Sequence, residues 1–158
     1  MAQEKERGAT MVELALALPL TLILLLGAVE AARYVSLQQA VSTASREAAR
    51  YGSTTGMGAA GVPHYVDCGE IRDVAQDVTP VGLDPTAIEI GYDSGPATAI
   101  GAWCNDVGPY PDPSLIARGD RIVVTVSHPY ESALPFFGDF LSGTVSATDH
   151  RSIWKAES

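Results

Sequence analysis

Residues 7–30 read RGATMVELALALPLTLILLLGAVE, and this stretch decides what the rest of the chain can be. From Leu14 to Val29 no side chain is charged. Roughly twenty residues from Ala9 onward would make a helix about 30 Å long, the thickness of a bilayer's hydrocarbon core. Pro19 can kink that helix, because its missing N–H breaks one intrahelical bond. Glu13 stands at the first turn of the run, and Gly8 closes a short polar leader, residues 1–8. A carboxylate inside a transmembrane helix costs about 2.5–3.5 kcal/mol at mid-depth and less near the interface. Its place at the very start of the run therefore asks for a reason.

Working outward, the helical pattern continues past the apolar run. In YVSLQQAVSTASREAARYGS, residues 34–53, Tyr34, Leu37, Val41, Ala44, Ala48 and Tyr51 recur at steps of three and four. That spacing draws one apolar stripe, with Gln38, Gln39, Ser42, Ser45, Arg46 and Arg50 elsewhere on the helix surface. Glu47 and Arg50 form an i,i+3 pair worth a few tenths of a kcal/mol, and Gly52 is a stop signal. Residues 9–51 thus read as one helix: a transmembrane segment over 9–30 and an extramembrane continuation over 31–52. The stripe has two uses, docking onto the chain's own globular part or packing against neighbouring helices, and both can hold on different arcs.

Residues 53–158 read as an exported α+β domain. Ile71, Val74, Ala75 and Val78 predict a short amphipathic helix over 69–78, stopped by Thr79-Pro80. Residues 87–92, AIEIGY, alternate as a strand does, and Asp93-Ser-Gly-Pro96 turns the chain. Residues 97–118 are rich in turn residues and read mostly as loop. RIVVTVSH, residues 121–128, is the strongest strand, with β-branched residues on both faces. Leu134-Pro-Phe-Phe137 and Phe140-Leu141 form an apolar connection to a last strand within 143–152. The expected fold class is α+β: a long N-terminal transmembrane helix followed by a short helix and a small antiparallel sheet packed on it.

The chain of 158 residues has a net charge of −9, and the leader contributes nothing to it because Lys5 and Arg7 offset Glu4 and Glu6. An acidic chain without a Lys/Arg cluster is a poor nucleic-acid ligand, so no nucleic-acid partner is expected. The balanced leader gives only a weak positive-inside bias. The large domain follows the apolar run as it does after an uncleaved signal-anchor. The reading is a single-pass protein of the cytoplasmic membrane, in contact with membrane lipid, its N-terminus cytoplasmic and its domain exported. Cys68 and Cys104 suit an oxidising compartment, where a bridge closing about 36 residues would contribute roughly 3–4 kcal/mol. Two unpaired thiols are the other state the sequence allows.

Gly8, followed by Ala9-Thr-Met-Val-Glu13 and then the apolar helix, resembles a type IV prepilin processing site. At such sites a prepilin peptidase cuts after the glycine and leaves glutamate fifth in the mature chain. The stretch from Arg7 to Gly52 resembles TadE-like pseudopilins of the Tad (Flp) pilus system. RIVVTVSHPYESALPFF, residues 121–137, and SGTVSATDHRSIW, residues 142–154, resemble the strand-rich tail of those proteins. The major Flp pilin has Tyr after its glutamate where this chain has Leu14. This chain is also far longer than that pilin, which points to a minor pseudopilin. The resemblance implies maturation between Gly8 and Ala9 and support of pilus assembly and adhesion. Implied partners are the prepilin peptidase, other pseudopilins such as a TadF-like one, the inner-membrane assembly platform and the Flp pilin. Cleavage would free an α-ammonium on Ala9 one turn from Glu13, and a staggered neighbour could share that pairing. The alternative is a carboxylate resting at headgroup level.

Nothing else in the sequence points to chemistry. His64, His128 and His150 lack metal-ligand spacing, and no nucleophile elbow or phosphate loop occurs. Asp106, Asp112 and Asp120 stand among turn residues, where acids are usual. Arg118-Gly-Asp120 is a three-letter coincidence, and Trp103 and Trp154 read as core or rim packing. The chain is expected to be no enzyme, with no cofactor and no metal. Two rivals remain. One is a secreted domain whose signal peptide is cut near Ala31. The other is a plain membrane-anchored domain with no filament role.

Overall fold

The computed structural model describes residues 2–59, 61–104, 110–134 and 142–155, with side chains from residue 11 onward. It contains a long helix α1 (Ala2–Ser53), a second helix α2 (Cys68–Asp77) and four strands. The strands are β1 (Ile88–Asp93), β2 (Ala99–Trp103), β3 (Arg121–Tyr130) and β4 (Gly143–Ser152). The chain divides into two compact units, Met1–Ser36 with Glu131–Ser142 and Leu37–Tyr130 with Gly143–Ser158. The fold is α+β with a candidate membrane span near the N-terminus.

α1 is unbroken from Ala2 to Ser53, Pro19 included, so helix covers the leader as well as the expected 9–51. The leader's Glu, Lys, Gln and Arg are good helix formers, and the one Gly in it, Gly8, costs only about 1 kcal/mol, too little to stop the helix. Pro19 leaves the Ala15 carbonyl without its intrahelical donor. Thr21 is the one hydroxyl in the apolar run, and its Oγ1 bonds back to the Ala17 carbonyl at 2.8 Å. That bond removes a free donor from an apolar surface.

In the second unit the sheet order is β2-β1-β3-β4, all neighbours antiparallel. Alternation sends Ile88, Ile90 and Tyr92 of β1 and Ile122, Val124 and Val126 of β3 into the core. They meet Ile71 and Ala75 of α2 and Val41, Ala44, Ala48 and Ala49 of α1 in a single cluster. Each fully buried aliphatic side chain contributes roughly 1.5–3 kcal/mol. Gly52 sets how closely the elements approach. A Cβ there would lie 2.5 Å from Ile122 Cδ1 and 3.2 Å from Ile71 Cδ1.

The structure adds to one expectation and corrects another. Within residues 97–118, expected to be mostly loop, Ala99–Trp103 form an edge strand beside β1. Ala and Gly carry little β-propensity, Gly101 has φ +70°, and the β1–β2 register shifts between Gly91 and Asp93. Ser45, assigned to the free surface of α1, is buried, its Oγ bonded to the Ser42 carbonyl at 3.1 Å. It lies four residues from both Val41 and Ala49, so it shares their face. The apolar connection over residues 135–141 lies outside the described residues, as does Asp106.

Candidate functional site

The feature that bears on function is built along α1. Every large apolar side chain from Met11 to Val29 is exposed in the chain alone, Met11 at 74% and Leu26 at 48%. A helix that is apolar all round and exposed along this length suggests a membrane anchor. Glu13 is exposed at the start of this segment. Gly8 and Ala9 lie on the same continuous helix, and Ala9 precedes Glu13 by four residues, about one turn. The leader's own side chains fall outside those described.

The apolar run ends at a carboxylate that sequence reasoning passed over. Glu30 is only 6% exposed. One of its oxygens takes a 3.1 Å bond from Arg33 Nη1, and the other accepts from the Ala133 N–H, also at 3.1 Å. Burial of a carboxylate is tolerated when both oxygens are bonded in this way. A side chain on the helix thereby holds the segment after β3. The available signal was an acid directly after sixteen uncharged residues with Arg33 at i+3.

Further along α1, Val41, Ala44 and Ala48 are buried, Leu37 and Tyr51 are partly buried against the core, and Tyr34 is 44% exposed. The stripe therefore packs on the chain's own domain over its later turns. Glu47 and Arg50 make their i,i+3 ion pair at 2.7 Å. In the last turn of α1, the Tyr51 ring stacks on His64 with centroids 4.6 Å apart. The Thr54 hydroxyl meets His64 Nδ1 at 2.8 Å. Glu70 accepts from the Ala59 N–H, and the Tyr51 hydroxyl holds its carboxyl below the usual range.

Cys68 and Cys104 are joined, with Cα atoms 5.7 Å apart. The bridge ties the first residue of α2 to the end of β2, where Arg72 donates to the Cys104 carbonyl at 3.0 Å. Tyr92 lies beneath it. Its hydroxyl bonds to the Tyr65 carbonyl, and burial pushes its pKa well above the usual value. On the outer sheet face Arg121 grips Asp93 through two bonds of 2.6 and 2.9 Å, which lowers the Asp93 carboxyl pKa.

The other singled-out residues do structural work. Asp112 caps a short 3-10 turn by accepting from Ser114 N–H at 2.9 Å. Asp120 is buried and accepts from Ala117 N–H. Arg118 lies over the exposed Trp154 ring, 5.7 Å from its centroid. Trp103 is 54% exposed and covers Gly91, where a Cβ would come within 2.8 Å of the ring. His128 and His150 lie on β3 and β4, away from His64 on its 3-10 turn.

The model for the family described as TadE-like protein matches residues 8–50. This likeness covers 43 of the chain's 158 residues. No curated protein and no solved structure matches the chain. The TadE-like segment opens at Gly8 and closes at Arg50, so it spans the apolar run, Glu30 and most of the docking stripe. It leaves α2 and the whole sheet outside. The family suggests a Tad-type pilus-associated protein.

Proposed function

We propose that this chain is a minor pseudopilin, matured by a prepilin peptidase after Gly8, that supports assembly of a Tad/Flp-type adhesive pilus. The observation that carries the reading is the TadE-like match beginning at Gly8, immediately before Ala9, Glu13 and the exposed apolar segment. Cleavage would place a positive terminus one turn before Glu13, where the N-terminal end of the helix also favours an anion. In a bundle of staggered helices that acid could pair with a neighbour's new terminus, penalising every stagger that leaves it alone. Proposed partners are the prepilin peptidase, TadF-like and other pseudopilins, the inner-membrane assembly platform and the Flp pilin. The leader would be cytoplasmic and the sheet-bearing domain exported.

Glu30 speaks against the secreted rival. A cut at Ala31 would discard the carboxylate that holds the Ala133 N–H and break α1 in mid-course. Mass measurement of the protein purified from its own membranes separates the readings. An N-terminus at Ala9 is expected. A start at Ala32 would instead indicate a secreted domain, and an intact leader a plain anchor; either sinks the proposal.

A further inference from the structure

β4 ends the sheet on one side, and among the described residues no strand pairs with its outer edge. Its ten residues, Gly143–Ser152, pair with β3 without a register break. Just beyond, the Ile153 N–H donates to the Asp120 carbonyl at 2.7 Å, and its carbonyl accepts from Gly119 N–H at 3.1 Å. Ile153 therefore directs its backbone groups toward the β3 side. These directions alternate along an antiparallel strand, so the odd-numbered residues of β4 also bond to β3. The N–H and C=O groups of Thr144, Ser146, Thr148, His150 and Ser152 then point out of the sheet. A straight edge of this length, with neither Pro nor Lys along it, is a template for one more strand.

We propose that a second copy of this chain pairs with the C-terminal half of this edge, β4 against β4, antiparallel and centred on His150, so that residues 148–152 of the two copies face one another. Charge selects that centre. With His150 opposite itself, Asp149 of each copy faces Arg151 of the other, and Thr148 faces Ser152. A centre on Asp149 would oppose two carboxylates, and one on Arg151 two guanidinium groups. A centre on Thr148 would set Asp149 against Ala147 and Arg151 against Val145. Opposite charges directly across a strand pair stabilise it and like charges destabilise it. Asp149 and Arg151 are already held together within one chain at 3.0 Å, with side chains 24% and 49% exposed. The two copies would bring four charges into an alternating arrangement on the inner face. His150 is an outward-bonding residue, so its central pair is the hydrogen-bonded kind, with Cα atoms about 5.5 Å apart.

That separation suits a disulfide, so the test is oxidation of the full-length His150→Cys chain in its membranes. A covalent homodimer is expected. Adding Asp149→Arg or Arg151→Asp should cut its yield several-fold, because each variant alone opposes like charges. Co-expressing the two should restore the crosslink as a heterodimer, since in the mixed pair every charge again meets its opposite. Retention of the Cys68–Cys104 bridge in each variant, read as a mobility difference on reduction, reports folding, and the surface pair itself adds little stability. Absence of homodimer, an adduct to a different polypeptide, or yields indifferent to the charge exchanges would overturn the proposal.

Discussion

The two halves of α1 follow opposite rules of burial. From Met11 to Val29 the residues are large and apolar, and all of the large ones are exposed. From Val41 to Ala49 the covered residues, Val41, Ala44, Ser45, Ala48 and Ala49, are small and buried to within 1% of fully covered. Hydrophobicity alone would have reversed the assignment. What separates the halves is the surface each is shaped to meet. Alanine and serine let a helix backbone approach a sheet and a second helix closely. A continuous leucine surface suits a solvent of acyl chains, which has no shape to match.

That contrast can be broken or sharpened by mutation. The largest effect should come from the domain half's covalent tie. Replacing Cys68 and Cys104 with Ala should lower stability by about 3–4 kcal/mol, read as a lower urea midpoint for the tertiary fluorescence signal in detergent, with the helical content of the apolar segment retained. A smaller loss should follow from enlarging the docking face. Ala48→Leu should cost about 1–3 kcal/mol by overpacking, seen in the same unfolding curve. A neutral result there would mean that the helix is not seated as described. The smallest effect belongs to the apolar half: Leu22→Ala removes a larger side chain, yet should shift the domain's midpoint by no more than about 0.5 kcal/mol. A loss matching that of Ala48→Leu would erase the distinction between the halves.

Much of the fold was legible because its strongest segments obey one period each. The steps of three and four in α1 and α2 and the alternation in β1, β3 and β4 place most of their residues correctly, though Tyr34 and Val78, at the ends of the two helical patterns, are exposed at 44% and 41%. Legibility failed where the local signal was weak or silent. Ala99–Trp103 is a strand because β1 offers it a pairing edge, not because Ala-Ile-Gly-Ala-Trp prefers one. Ser45 is buried because its small hydroxyl is satisfied within the helix itself. Its polarity had argued for the surface. Glu30 was invisible as a structural residue because its partner, the Ala133 N–H, is a backbone group 103 residues away.

By itself the sequence determined that a helix able to span a bilayer precedes an α+β domain, and that Gly8, Ala9 and Glu13 stand together at its entrance. Those features rest on periodicity, charge and local spacing, which a linear chain displays in full. Only tertiary structure decided which arc of the helix is covered, that Cys68 meets Cys104, that Glu30 holds the segment after β3, and that β4 is left as an edge. Each of these depends on groups distant in sequence arriving at one place, and no local preference encodes the meeting.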